Sequence, residues 1–363
     1  MYYEDIEEAK KLVIKAALEM QRTGLIVRTW GNVSARINHD EFVITPSGRS
    51  YDSLTPDDIV KVRINDLSYD GNITPSSEKG VHAEVYKKHR RASFVIHTHQ
   101  DYSTALSTLK RPLNIETLYP DRVEDLGPVV PVSEYAPFGT KKLMANVATA
   151  LKENPKSRAV LMQNHGVVVF GRTDEEAMDT AKSLEKFCEH EYSHLTGRQR
   201  IDILYPFYSI TNFCRVFRRD KKEEYEAQRD LFAENKDAAY VVYAYSPYIK
   251  EASDYKFFMR AYNDDLAQIA GPVIPIKSAV TPHRKIAQAL KNSGGVMLLN
   301  GIGAVVTGTD KEDAFAKVAC LDKCAMTSLM QKAHLHPTPV SFYDAEHEHS
   351  VYLNSYSKLK DKD

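Results

Sequence analysis

Between residues 4 and 23 the apolar side chains of Ile6, Val13, Ala16, Ala17 and Met20 return near one stripe of a 3.6-residue period, and Gly24 follows them. This spacing predicts an opening amphipathic helix stopped by a glycine. Short apolar runs bounded by turn residues come next, at 28–37, 41–45, 59–64, 93–99, 159–162 and 167–170, and each predicts a strand. Helical patterns separate them at 78–89, 102–109 and 140–151. A longer one spans 174–195, where Ala177, Ala181, Leu184, Cys188 and Leu195 recur at helical spacing behind Thr173, the expected N-cap. Strands mixed with helices in this order predict a layered α/β domain.

The later chain repeats part of the earlier one. FVIHTHQDYSTALST (94–108) aligns with YVVYAYSPYIKEASD (240–254). RAVLMQNHGVVVFGRTDEEA (158–177) aligns with GVMLLNGIGAVVTGTDKEDA (295–314), which sets Gly166 on Gly303 and Gly171 on Gly308. Between these blocks VVPV (129–132) meets VIPI (273–276). Blocks in one order, with small shifts of offset that loops absorb, predict a duplicated domain divided at 1–205 and 206–363. The repeat is legible only from about residue 220, so the second half reads as a partial copy.

Composition narrows the class. At 363 residues the chain is long for one domain, and 43% hydrophobic residues suffice for a packed core. The 48 Lys and Arg against 49 Asp and Glu remove the electrostatic case for nucleic acid or an anionic membrane as partner. The acidic, amphipathic start MYYEDIEEAKK and the lack of any run of ~18 apolar residues make the cytoplasm the expected location. Cys188, Cys214, Cys320 and Cys324 form no C-x-x-C pair and are expected as buried free thiols.

Candidate chemistry is confined to the first half. In His97-Thr98-His99 the period-two alternation of a strand turns both imidazoles to one face, near enough to share an ion. His165 lies in Asn164-His165-Gly166, a glycine turn between two strands. Three histidines leave a tetrahedral zinc one open position. Pro75-Ser76-Ser77-Glu78 brings two hydroxyls and an acid to a helix start, where Glu78 reads either as a helix cap or as a working carboxylate. Gly31-Asn32-Val33-Ser34 and Thr45-Pro46-Ser47-Gly48 offer small residues whose amides and hydroxyls could surround a phosphate, although neither fits a P-loop.

Taken together and in this order, G-N-x-S-x-R, I-T-P-S-G, P-S-S-E, H-T-H and N-H-G resemble the class II aldolase and adducin family typified by fuculose phosphate aldolase, over approximately residues 5 to 200. The resemblance implies a three-layer α/β/α domain with a mixed, mostly antiparallel sheet. It implies that His97, His99 and His165 bind Zn2+ or another divalent metal, and that Gly31, Asn32, Ser47, Gly48, Ser76 and Ser77 receive a substrate phosphate. Glu78 would be the catalytic acid and base, with Tyr119 as second acid or base and Asp121 its competitor. The implied reaction is reversible cleavage of a phosphorylated ketose to dihydroxyacetone phosphate and an aldehyde through a metal-stabilised enediolate. The alternatives within the family are a sugar phosphate 4-epimerase, a sugar-acid phosphate decarboxylase and a non-catalytic adducin-like binding module. The epimerases typically carry Asp after P-S-S, and Glu78 tilts the expectation to aldol chemistry.

The second half departs where chemistry would be. His97 aligns with Tyr243, His99 with Tyr245 and His165 with Ile302, which leaves no metal ligands there. Because members of the family generally form four-fold rings, one intact and one metal-free copy per chain imply a homo-oligomer, a pseudo-four-fold dimer in preference to a four-chain ring.

Overall fold

The computed structural model describes residues 2–198 and 210–354, and the chain forms two compact units, Met1–Tyr192 and Ser193–Asp363. The boundary expected at 205/206 lies outside the described residues.

The first unit is built on a sheet of order β3-β2-β1-β4-β9-β8-β7. Its strands are β1 (Gly31–Arg36), β2 (Glu41–Ile44), β3 (Val60–Arg63), β4 (Phe94–Thr98), β7 (Val132–Ser133), β8 (Ala159–Met162) and β9 (Gly166–Gly171). A separate pair joins β5 (Leu113–Asn114) to β6 (Val129–Val130). Only β7 and β8 run parallel; the other neighbours in the large sheet are antiparallel. Helices α2 (Lys79–Lys88) and α6 (Lys141–Glu153) cover one face, packing Val81, Val85, Leu143, Val147 and Leu151 on Val95, Val160, Met162 and Val168. Each such fully buried aliphatic side chain contributes about 1.5–3 kcal/mol. On the other face α1 (Ile6–Arg22) lies against β1, and α3 (Asp101–Ser107) against β8 and β9. Short α4 (Ile115–Leu118) and α5 (Val123–Leu126) follow β5, and α7 (Asp174–Thr196) follows β9. Glu185 of α7 accepts hydrogen bonds from the amides of Tyr102 and Ser103, so its carboxylate closes the start of α3.

The second unit carries a sheet of order β10-β11-β15-β14-β13-β12. It comprises β10 (Cys214–Arg218), β11 (Tyr240–Ala244), β12 (Phe258–Arg260), β13 (Val273–Lys277), β14 (Val296–Leu299) and β15 (Gly303–Gly308). Its helices are α8 (Lys222–Ala227), α9 (Arg229–Glu234), α10 (Pro247–Ala252), α11 (Asp264–Ala270), α12 (His283–Asn292), α13 (Lys311–Ser328) and α14 (Phe342–Asn354). Leu231 and Phe232 of α9 and Ile286 and Leu290 of α12 pack with Val241, Met297 and Val305. The run β10-β11-β15-β14-β13 repeats β1-β4-β9-β8-β7, including the parallel pair at its end. Register agrees too: Asn32 pairs with His97 and His97 with Val168, as Arg215 pairs with Tyr243 and Tyr243 with Val305. No strand equivalent to β2 or β3 flanks β10 among the described residues.

Four expectations need correcting. The first strand starts at Gly31 and not at 28, because Arg28 takes a left-handed φ of 54° that an extended strand does not accommodate. Ile6 is exposed in the first helical turn, and Ala9 joins Val13, Ala16, Ala17 and Met20 in the buried stripe. All four cysteines are free thiols and three are buried, but Cys214 is half-buried, at the start of the edge strand β10. The strand order of the repeat also reaches back to β10, ahead of residue 220.

Candidate active site

The site is assembled at one end of the central strands. β4 is flanked by β1 and β9, and its pleat turns His97 to the α2 side of the sheet. The β8–β9 turn brings the third histidine: Met162 pairs with Gly166, Asn164 takes the left-handed φ of 61° that asparagine tolerates, and the amide of His165 donates to the Met162 carbonyl at 3.0 Å. Gly166 is required beside it. A Cβ there would stand 2.3 Å from the Thr98 carbonyl oxygen and 3.2 Å from the His97 ring.

These elements bring together the three histidines predicted as ligands, all buried. Nε2 of His97 lies 2.9 Å from Nε2 of His99 and 3.1 Å from Nε2 of His165, and one ligand atom from each falls within 4.8 Å of the others. His97 Nδ1 donates to the Val167 carbonyl at 2.9 Å, which leaves the Nε2 lone pair of its neutral form facing the cluster. Glu78 closes the group, with Oε2 3.1 Å from His97 Nε2 and Oε1 3.0 Å from His165 Nε2. Burial alone would raise the Glu78 carboxyl pKa, but positive charge on the adjacent His97 and His165 rings, when they are protonated, outweighs it and holds the group well below the usual range. Lone pairs and a carboxylate converging in a buried space require positive charge between them. The three imidazoles therefore form a donor set that fits a divalent ion.

Glu78 occupies the N-cap position of α2, yet its side chain makes no capping bond. Capping falls to its neighbour: the Glu78 amide donates to Ser76 Oγ at 3.2 Å. The two small-residue loops expected to bind phosphate meet beside it, through a bridge between Pro46 and Pro75 and through bonds from Ser76 N to the Thr45 carbonyl and from Ser47 N to the Thr74 carbonyl. Those two amides are spent on the loops themselves. Ser77 and Gly48 are exposed, Ser47 is half-buried and Ser76 is buried. Gly31 opens β1 opposite Thr98, and its carbonyl accepts the Tyr51 hydroxyl. Asn32 is buried, with both ends of its amide engaged: Nδ2 donates to Glu78 Oε2 at 3.0 Å and Oδ1 faces His82 Nε2 at 2.5 Å.

Tyr119 stands apart from this group in its contacts. At the end of α4 its ring packs edge-on against Phe187 and His190 of α7, its hydroxyl meets His190 Nδ1, and burial raises its pKa. Asp121 is exposed beside Arg122. Sequence reasoning missed His82 and Tyr86, although their spacing of four and eight residues from Glu78 on a helix was a readable signal.

A mixed sheet with helices on both faces and a histidine cluster met by a helix-borne carboxylate defines a class of α/β/α domain suited to holding a metal. The sequence matches the profile of the Class II Aldolase and Adducin N-terminal domain over residues 11–192 and again over 220–329. The chain belongs to this family. Among its relatives, an L-fuculose phosphate aldolase of Escherichia coli O6:H1 is 37% identical over 173 residues, 48% of this chain and 77% of that protein. A 5-methylthioribulose-1-phosphate/5-deoxyribulose-1-phosphate aldolase of Rhodospirillum rubrum is 32% identical over 177 residues, 49% of this chain and 77% of its own length. A solved L-fuculose 1-phosphate aldolase is 30% identical with a TM-score of 0.47, covering 55% of this chain and 91% of that one.

Proposed function

We propose that the first unit is a divalent-metal aldolase that reversibly cleaves a phosphorylated ketose into dihydroxyacetone phosphate and an aldehyde. The observation that carries this reading is Glu78: a buried carboxylate withheld from helix capping and aimed at His97 and His165. Relatives named L-fuculose phosphate aldolase and 5-methylthioribulose-1-phosphate/5-deoxyribulose-1-phosphate aldolase support the substrate class.

His97, His99 and His165 hold the ion, zinc by the preference of an all-imidazole set. When bound, that ion supplies a Lewis acid for the electron pair released beside the ketose carbonyl as the carbon–carbon bond breaks. Glu78 moves the proton at that carbon, delivering it in cleavage and removing it in synthesis. Ser47, Gly48, Ser76 and Ser77, with Gly31 and Asn32, line the side where the substrate phosphate is held. Tyr119, or Asp121 in its place, serves the aldehyde oxygen after moving toward it, since its hydroxyl is engaged with His190 in this structure. The second unit, without metal ligands at the aligned positions, acts as the neighbour that completes the assembly, a pseudo-four-fold dimer. Triose phosphate released from ketose 1-phosphates by the zinc-loaded protein tests the reaction. A product with its carbon skeleton intact would instead indicate epimerisation, and carbon dioxide release a decarboxylase.

A further inference from the structure

Residues 78, 82 and 86 share one face of α2 at helical spacing, and residues 32 and 34 share one face of β1. Where these faces meet, a file of hydrogen bonds crosses the interior. Tyr86 Oη lies 2.7 Å from Ser34 Oγ, which lies 2.7 Å from His82 Nδ1. His82 Nε2 lies 2.5 Å from Asn32 Oδ1, and Asn32 Nδ2 lies 3.0 Å from Glu78 Oε2. His82, Ser34 and Tyr86 are fully buried, and Asn32 nearly so.

The direction of every bond follows from its end. An ionised carboxylate only accepts, so Asn32 presents its NH2 to Glu78 and its carbonyl oxygen to His82. His82 must then donate from Nε2. Burial lowers its pKa to about 3, so the ring is neutral and Nδ1 accepts from Ser34, whose oxygen in turn accepts from Tyr86. Desolvating five polar groups where apolar side chains could pack is costly, and every bond in this file leads to one carboxylate oxygen.

We propose that Tyr86, Ser34, His82 and Asn32 form a one-way relay of positioning residues that holds Glu78 Oε2 toward the histidine cluster. This rests on the aldolase reading, in which Glu78 moves the proton. Asn32 then acts through Glu78 and not chiefly as a phosphate ligand.

The probe is dihydroxyacetone phosphate in D2O, with exchange of its hydroxymethyl hydrogen followed by NMR. His82→Leu should lower the maximal exchange rate roughly 10- to 100-fold, the scale at which an outer hydrogen-bonding partner acts. KM should stay within about twofold and metal content unchanged. His82→Gln, which keeps a donor toward Asn32, should restore most of the rate. Asn32→Ala should likewise lower the rate more than it raises KM. A raised KM with the rate preserved in Asn32→Ala, or a loss in His82→Leu that follows only the folded fraction, overturns the relay. Independently of turnover, 15N-histidine NMR of the wild type should show His82 neutral with its proton on Nε2. A proton on Nδ1 contradicts the relay. Absence of exchange in the wild type would sink the aldolase reading, while the tautomer would still decide the relay.

Discussion

The two units carry the same strand order and register yet opposite chemistry at matching positions. In the first, His97 on the central strand meets the carboxylate of Glu78 at the N-cap of α2. In the second, Tyr243 at the same register donates its hydroxyl at 2.8 Å to Gln228, the N-cap residue of α9. A histidine and acid have become a phenol and amide that satisfy each other, so the second pair requires no ion. The positions of His99 and His165 are taken by Tyr245 and Ile302, which are 43% and 48% exposed. What persists is the scaffold: Gly303, like Gly166, admits no Cβ beside the neighbouring strand, with the Ala244 carbonyl oxygen 2.3 Å away. The turn conformation and sheet register depend on backbone and apolar residues, whereas metal affinity depends on a few ligand side chains. The two can therefore diverge separately.

Substitutions at matched positions break this comparison most sharply. His97→Ala should reduce metal from close to one ion per chain to near zero and abolish cleavage, whereas Tyr243→Phe should leave both untouched; metal analysis of the two variants decides it. Next in size, Glu78→Gln should retain its metal and lose about 10²- to 10⁴-fold in turnover, the usual cost of a missing general base. Near-normal turnover at saturating zinc would make that acid structural.

A third matched pair concerns stability. Glu185 closes the start of α3, and Asp322 on α13 holds the same place beside Ser246 at the start of α10. Burial raises the Asp322 carboxyl to about 7, against a hydrogen bond from Ser246 that lowers it. The folded state therefore binds a proton that the unfolded chain releases above about pH 4, so stability falls as pH rises from about 4 to about 7. The effect is on the order of a few kcal/mol. Asp322→Asn should flatten that fall, as urea unfolding across this pH range would show. Smallest of the effects, Tyr243→Phe should cost about 1 kcal/mol through its bond to Gln228, seen as a lowered melting temperature. For the assembly, a solution mass of about 82 kDa (2 × 41.1) would support the dimer and a four-chain mass would exclude it.

Much of this was legible in the sequence. Alternation in 93–99 placed His97 and His99 together, and the N-H-G turn supplied His165. The apolar blocks at 240–254 and 295–314 announced the second sheet. Two readings of Glu78 stayed open because a helix start suits a cap and a catalytic carboxylate equally; only the position of its oxygens separates them. β10 is not legible as a repeat of β1 because CRVFR stands where the G-N-x-S motif would mark it. The relay through His82 depends on a helix face meeting a strand face, a tertiary relation that neither period reveals alone. The placement of Tyr119 against α7 depends on the fold of the 111–131 segment, whose elements are two to four residues long and carry little periodicity.

Exchange of the hydroxymethyl hydrogen of dihydroxyacetone phosphate with solvent deuterium, measured on zinc-loaded wild type and on Glu78→Gln, tests the central claim most directly, because it needs no knowledge of the aldehyde. The account predicts steady exchange by the wild type, loss of at least about 100-fold in Glu78→Gln, and full metal content in both. Exchange that survives in Glu78→Gln, or a wild type that carries its metal and exchanges nothing, would contradict it.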